Sequence, residues 1–290
     1  MAIQYNKEMH GPSSDPATPE WLEKKTRYVR NLVLDMCVAA ETGHVTSSFS
    51  CAEIMVALYY ANILRFDSKN PAWEDRDRFI LSKGQASVIL YPILADLGFF
   101  PMEDLDTFCM KDGKFGVHLQ HDVPGVEITA GSLGCGFGTA AGIALAAKKD
   151  NKPYLTVALL GDGECYEGSI WETAMFATHN KLNNLVAIID RNYCCATDFT
   201  EDSLALESLD EKWKAFGWSV KRIDGHSIPQ ILEALKNIRF HHESKPLMII
   251  ADTIKGKGVS FMSDVPLWHA RAPQGDEAKR AKEELSRENK

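Results

Sequence analysis

The sequence predicts an α/β fold, a parallel β-sheet with helices on both faces. Two observations carry that expectation: short strand-like apolar runs recur along the chain, and segments with helical spacing alternate with them. With 290 residues, 45% of them hydrophobic, the chain can bury the core of one large domain. No internal repeat or long low-complexity segment interrupts the pattern.

The elements follow in order. Residues 1–20 hold three prolines together with Gly11, Ser13 and Ser14, which predicts an irregular arm ahead of a helix starting near Trp21. The domain then runs over residues 21–290. Strands are expected at Phe79–Leu81, Leu155–Leu160, Leu185–Ile189, Ser219–Ile223 and Leu247–Ala251. Helical spacing marks Thr139–Lys148, Ile170–His179 and Ile228–Phe240. From Gly275 onward Glu, Lys, Arg and Ala dominate, which predicts a solvated terminal helix without chemistry.

Composition excludes several classes of function. A net charge of −8 argues against a nucleic-acid footprint, which needs a concentrated basic surface. There is no apolar stretch of about 18 residues and no signal-peptide core, so no membrane role and a cytoplasmic location are expected. Seven cysteines, an odd number without C-x-x-C spacing, suit reduced thiols. The adjacent Cys194 and Cys195 are expected as small apolar lining rather than as redox centres.

The most informative residues stand at two predicted strand ends. Gly161-Asp162-Gly163 follows the run Leu155–Leu160, and Asn192 follows the run Leu185–Ile189. A carboxylate and an amide so placed supply two hard oxygen ligands to a Mg²⁺ that keeps its other positions for a diphosphate and water. The glycines let the backbone approach the phosphates. Open α/β sheets bind ligands outside the carboxyl ends of their strands, so motif and architecture predict the same place. A lone Gly-Asp-Gly serves many tight turns, but an Asn beyond an intervening helical segment marks a metal–diphosphate clamp.

From about Lys25 to Leu285 the chain resembles the thiamine diphosphate (ThDP) enzymes, and within them the N-terminal half of transketolase. The resemblance rests on Gly161 to Gly168 with Asp190-Arg191-Asn192, on Gly43-His44, and on Asp77 to Ser87. It rests further on Val123 to Gly136, and on Lys255 to Met262 followed by Trp268-His269. It implies that Asp162, Asn192 and the backbone carbonyl of Cys194 bind Mg²⁺, within the motif that holds Gly161 and Gly163. It places Gly131 beside the diphosphate, Leu133 against the thiazolium ring, His269 on the diphosphate and His44 near the substrate. Glu167 resembles a Glu that links two cofactor sites across a subunit interface, but an ordinary helix-start Glu favoured by the dipole is an equal reading.

The implied activity is transfer of a two-carbon ketol unit from a ketose to an aldose acceptor, with the cofactor as electron sink. The Glu that activates ThDP belongs in this family to a pyrimidine-binding domain, which would follow residue 290 in a full-length transketolase. A second chain is therefore expected to supply it, in an α2β2 heterotetramer. Some positions depart from the family. Lys83-Gly84-Gln85 replaces Lys-Gly-His, putting an amide that cannot titrate near the phosphates and substrate. Gly116-Val117-His118 shifts a histidine by one position, so that His118, or His121, is expected to reach the donor sugar. Val45 to Ser50 stands where glycines are common and predicts a narrower, more polar substrate entrance. Together these changes suggest substrates unlike the pentose-pathway sugars, whether phosphorylated or not. Two alternatives stand beside this reading: the α subunit of a 2-oxo acid dehydrogenase, and a non-catalytic ThDP-binding paralogue.

Overall fold

The computed structural model of the chain describes residue 11, residues 17–240 and residues 244–287. Of the expected arm over residues 1–20, residues 1–10 and 12–16 lie outside them. The Thr18 hydroxyl accepts the Trp21 N–H at 3.2 Å, and Pro19 sits in the first turn, where a missing N–H leaves no bond unmade. Helix α1 (Pro19–Ala40) therefore begins just ahead of the expected position. After it come α2 (Val45–Ser50), α3 (Ala52–Tyr60), β1 (Arg78–Leu81), α4 (Ser87–Asp96), α5 (Cys135–Lys149), β2 (Thr156–Gly161) and α6 (Gly168–His179). The chain continues with β3 (Leu185–Arg191), α7 (Thr200–Ser203), α8 (Leu209–Ala215), β4 (Ser219–Asp224), α9 (Ile228–Leu235), β5 (Leu247–Asp252) and α10 (Asp276–Arg287).

All five expected strands form, with ends shifted by at most two residues. The helix expected over 228–240 stops at Leu235, because Lys236 is extended and Asn237 takes φ of 57° before a short 3-10 turn. The sheet is wholly parallel, in the order β1-β2-β3-β5-β4. Its side chains alternate between two apolar layers. Leu81, Val157, Leu159, Val186, Ile188 and Ile249 pack with residues of α1, α3, α4, α9 and α10. Ile80, Ala158, Leu160, Ala187, Ile189 and Ile250 pack with α5, α6 and α8. Parallel sheets need both faces covered in this way.

Register places Gly161 beside Asp190 and Arg191 beside Asp252, so the segments after β2, β3 and β5 leave the sheet along one rim. The segment after β1 joins them, since Leu81 pairs with Leu159.

Candidate functional site

A cavity of about 330 Å³ opens at this rim. Its wall carries His44, Gln85, His118, Gly131, Leu133, Gly161, Asp162, Gly163, Asn192, Cys194 and His269. Glu167 is not on the wall. It is exposed at the start of α6 and makes no side-chain cap, which fits either reading of it. His121 is also elsewhere, exposed, with its Nδ1 3.1 Å from the Thr129 hydroxyl.

The turn after β2 is built around two carboxylates. Asp162 Oδ1 accepts the Gly163 N–H at 2.8 Å, while Oδ2 accepts the Tyr193 N–H at 2.7 Å and Arg191 Nη1 at 3.1 Å. Burial pushes the Asp162 acid up to about 6, with Arg191 opposing the shift and Asp190 adding to it. Glu164, also on the wall, ties three segments together. One oxygen accepts the Ser82 hydroxyl at 2.5 Å and the Gly134 N–H at 2.8 Å, and the other accepts the Gly161 N–H at 3.1 Å. Sequence reasoning assigned Glu164 no role. Its signal is the spacing from Gly161, the reach-back of a carboxylate to an N–H three residues earlier that capping boxes use.

Asp190 anchors the floor. It accepts the Ser50 hydroxyl at 2.6 Å, the Lys83 ammonium, the Thr253 hydroxyl and Asn192 Nδ2 at 3.2 Å. Asn192 is thereby oriented by its amide nitrogen, and its Oδ1 accepts the Cys194 N–H at 3.1 Å. Residues 45–50 belong to this floor: all are buried, and Ser47 reaches the cavity wall. The Thr46 hydroxyl donates to the Trp268 carbonyl and the Ser50 hydroxyl to Asp190, so within this stretch Ser47 is the residue on the cavity wall.

Three imidazoles form a row. The His44 ring lies 5.2 Å from His269, edge to face, and 5.8 Å from His118. Gly43 must be glycine, with φ of 122° and the Cys37 sulfur 2.5 Å from where a Cβ would stand. Burial, with His118, Lys255 and Lys83 nearby, pulls His44 down to about 4, and burial with Lys255 pulls His269 to about 3. At neutral pH both are uncharged, so neither titrates near neutrality as a free imidazole does. Lys255 donates to the Cys195 carbonyl at 2.8 Å and to His269 Nδ1 at 3.1 Å, leaving the other His269 nitrogen as an N–H donor. Buried His44 Nδ1 has no hydrogen-bond partner among the described residues.

These residues fit Mg²⁺ and a diphosphate. A Cβ on Gly161 or Gly163 would make only ordinary contacts, at 3.7 Å and 3.5 Å, and neither glycine has the positive φ that requires one. The chain's own packing does not call for these glycines, whereas a phosphate beside them does. Among the described residues no cluster of three or more His, Cys, Asp or Glu could hold a metal. One carboxylate, one amide and one peptide carbonyl are instead the sparse hard-oxygen set that suits Mg²⁺ carrying phosphates and water. Buried Lys83 and Lys255 line the same wall and favour an anion, although sequence reasoning gave them no role.

A parallel sheet whose rim gathers a Gly-Asp-Gly turn, an Asn from the next strand and a histidine row is the diphosphate-binding half of a ThDP enzyme. The chain belongs to the transketolase family: residues 22–290 match the family described as "Transketolase, thiamine diphosphate binding domain". Its relatives include the 6-deoxy-6-sulfo-D-fructose transketolase subunit SqwG of a Clostridium species, 41% identical over 241 residues, 83% of this chain and 87% of that protein. An apulose-4-phosphate transketolase subunit from Phocaeicola vulgatus is 38% identical over 271 residues, 92% of this chain and 94% of that protein. Human transketolase is 37% identical over 234 residues, which are 80% of this chain but 37% of the human protein. The crystal structure of Campylobacter jejuni transketolase superposes with a TM-score of 0.85 at 32% identity, covering 91% of this chain and 42% of that one. The chain thus spans less than half the length of these transketolases and nearly all of the two named subunits. Of the two enzyme readings, the family match selects transketolase.

Among the described residues no helix is long and apolar enough to cross a membrane.

Proposed function

We propose that this chain is the diphosphate-binding subunit of a split transketolase, moving a two-carbon ketol unit from a ketose to an aldose in the cytoplasm. Residues 21–290 form the ThDP-binding domain. A second chain supplies the pyrimidine-binding domain and its activating Glu, in an α2β2 assembly. The observation that carries the reading is convergence: residues chosen from seven separate stretches of sequence meet on one cavity wall.

In this reading Asp162, Asn192 and the Cys194 carbonyl hold Mg²⁺. Gly131, Gly161, Gly163 and His269 face the diphosphate, and Leu133 packs on the thiazolium ring. Bound ThDP supplies the electron sink for cleaving the carbon–carbon bond. The protein supplies position and proton handling. His44, neutral at pH 7 and with Nδ1 unpartnered, can accept a hydrogen bond or a proton from a sugar hydroxyl. His118 stands beside it as a second sugar contact, and Gln85 offers a non-titrating amide. Glu167, off the wall and exposed, is placed to meet the partner chain.

Two relatives are named for acting on apulose 4-phosphate and 6-deoxy-6-sulfo-D-fructose. With Gln85 and the shifted His118, this favours a ketose other than xylulose 5-phosphate as donor. The test mixes the chain with a candidate pyrimidine-domain protein from the same organism and measures ketol transfer from several ketoses, with and without ThDP and Mg²⁺. Turnover that needs both chains and both cofactors, and disappears with Asp162→Ala, is the expected result. A stable ThDP-loaded complex inert towards every ketose would instead identify a non-catalytic paralogue.

A further inference from the structure

Tyr193 lies between Asn192 and Cys194, and its φ of 61° is in the left-handed region that a bulky side chain rarely adopts. Three sets of contacts hold it there. Its N–H reaches Asp162 Oδ2 at 2.7 Å, and its ring lies 3.9 Å from the Arg191 guanidinium. Its hydroxyl donates to Asp252 Oδ1 at 2.7 Å and accepts from Arg222 Nη2 at 2.8 Å. Arg191, fully buried, donates to the same Asp162 oxygen at 3.1 Å and to the Thr200 hydroxyl at 2.6 Å. It also donates to Glu201 at 2.6 Å and Glu207 at 3.1 Å.

We propose that Arg191 and Tyr193 are positioning residues, a clamp that orients the Asp162 carboxylate and the adjoining Cys194–Ala196 wall for a divalent cation. The inference rests on the reading of Asp162 and Asn192 as metal ligands. A carboxylate offers about four lone-pair sites, and Gly163, Arg191 and Tyr193 fill three, so one orientation remains in which the group can meet a cation. Repulsion of the cation by the guanidinium is offset, because Glu201 and Glu207 bring more negative charge than Arg191 brings positive. The left-handed turn serves the same end. It points the Tyr193 N–H at Asp162 while reversing the chain so that Asn192 and Cys194 both reach the cavity. Strain at such a place is a mark of function when the surroundings over-determine it, as these contacts do.

Mg²⁺ demands near-ideal octahedral geometry, whereas Ca²⁺ tolerates irregular oxygen shells, and this difference separates positioning from mere stability. The experiment titrates ThDP binding by the complex of this chain and its pyrimidine-domain partner with Mg²⁺ and, separately, with Ca²⁺. Tyr193→Gly is the informative variant, since glycine takes this φ freely while the ring and hydroxyl contacts vanish. The half-saturating Mg²⁺ concentration is expected to rise about 10-fold, the usual scale for losing an outer-shell partner of a metal ligand. The Ca²⁺ value is expected to rise much less, and Arg191→Met to act in the same direction. Equal weakening of both cations, or none, would reduce the clamp to a structural feature. Tighter Mg²⁺ binding in Arg191→Met would overturn it by making the guanidinium a competitor. A wild-type complex that binds ThDP without any divalent ion would remove the metal reading itself, whereas wild-type metal dependence with unaffected variants removes the clamp alone.

Discussion

Gly161 lies on the cavity wall and Gly136 is buried in α5, and an added methyl group meets different surroundings at each. At Gly136 it would stand 2.7 Å from the Ser82 hydroxyl and 2.9 Å from the Ser82 Cα, so α5 or the end of β1 must move. Gly136→Ala is expected to cost about 1–3 kcal/mol and to lower the melting temperature by several degrees. At Gly161 the nearest atoms lie at 3.7 Å and 3.9 Å. Gly161→Ala should leave the melting temperature of the unliganded chain unchanged and weaken ThDP binding, and an equal loss of stability in both variants would contradict the assignment. The histidine row makes a second residue-level prediction. His44 at about 4 and His269 at about 3 both lie below the free value of 6.5. Below pH 6.5 the unfolded chain therefore binds protons at these positions that the folded chain refuses. Stability is fully present above that pH and is lost as pH falls towards 4. Thermal melts from pH 7.5 to about pH 4.5 measure this, and His44→Gln should flatten the slope by removing one of the two groups.

At the scale of elements, the strands were legible because a buried parallel strand leaves a compact apolar run. Residues 155–160, 185–189 and 247–251 announce themselves in this way. β4 was legible by its position in the alternation, although Lys221 and Arg222 make it polar; they serve α9 and α8, through the Ala234 carbonyl and Asp210. The order of strands was not legible, since nothing local to β5 says that it inserts between β3 and β4. Nor was the burial of α2, whose polar Thr46 and Ser50 look solvent-facing until the partners of their hydroxyls, the Trp268 carbonyl and Asp190, are known. The candidate site was readable where chemistry demands a residue type, as at Asp162, Asn192 and the glycines. It was unreadable where a side chain serves another segment, as Glu164 does. Glu164 accepts from three donors joining β1, β2 and α5, and the amide of Glu164→Gln would set N–H against N–H there. Denaturant unfolding should show a loss of about 1–3 kcal/mol, the scale for leaving a buried polar group unsatisfied, and no change would mean that the three segments hold together without it.

The whole molecule presents a one-sided rim: the Gly161–Gly163 turn, the histidine row and Asn192 all gather where β1, β2, β3 and β5 end. In the split-enzyme reading such a rim completes only half of a ThDP site, and light scattering tests the consequence. Mixed with its pyrimidine-domain partner, the chain should form particles containing two copies of each. A mixture that stays at the mass of the separate chains would send the split-enzyme reading back to a binding protein. The strand order carries one more consequence, for the birth of the molecule. β4 pairs with β5 alone, and β5 lies inside the sheet although it is the last strand to be made. While the chain is being synthesised, β3 keeps one open edge and β4 keeps two until residue 252 has emerged, a long interval of unprotected hydrogen-bonding groups. The stretch that finally pairs the open edge of β3 and one edge of β4 leads on to Lys255 and His269. A nascent chain cut short before it would leave β3 and β4 without the strand that joins them and would lack two side chains of the cavity wall.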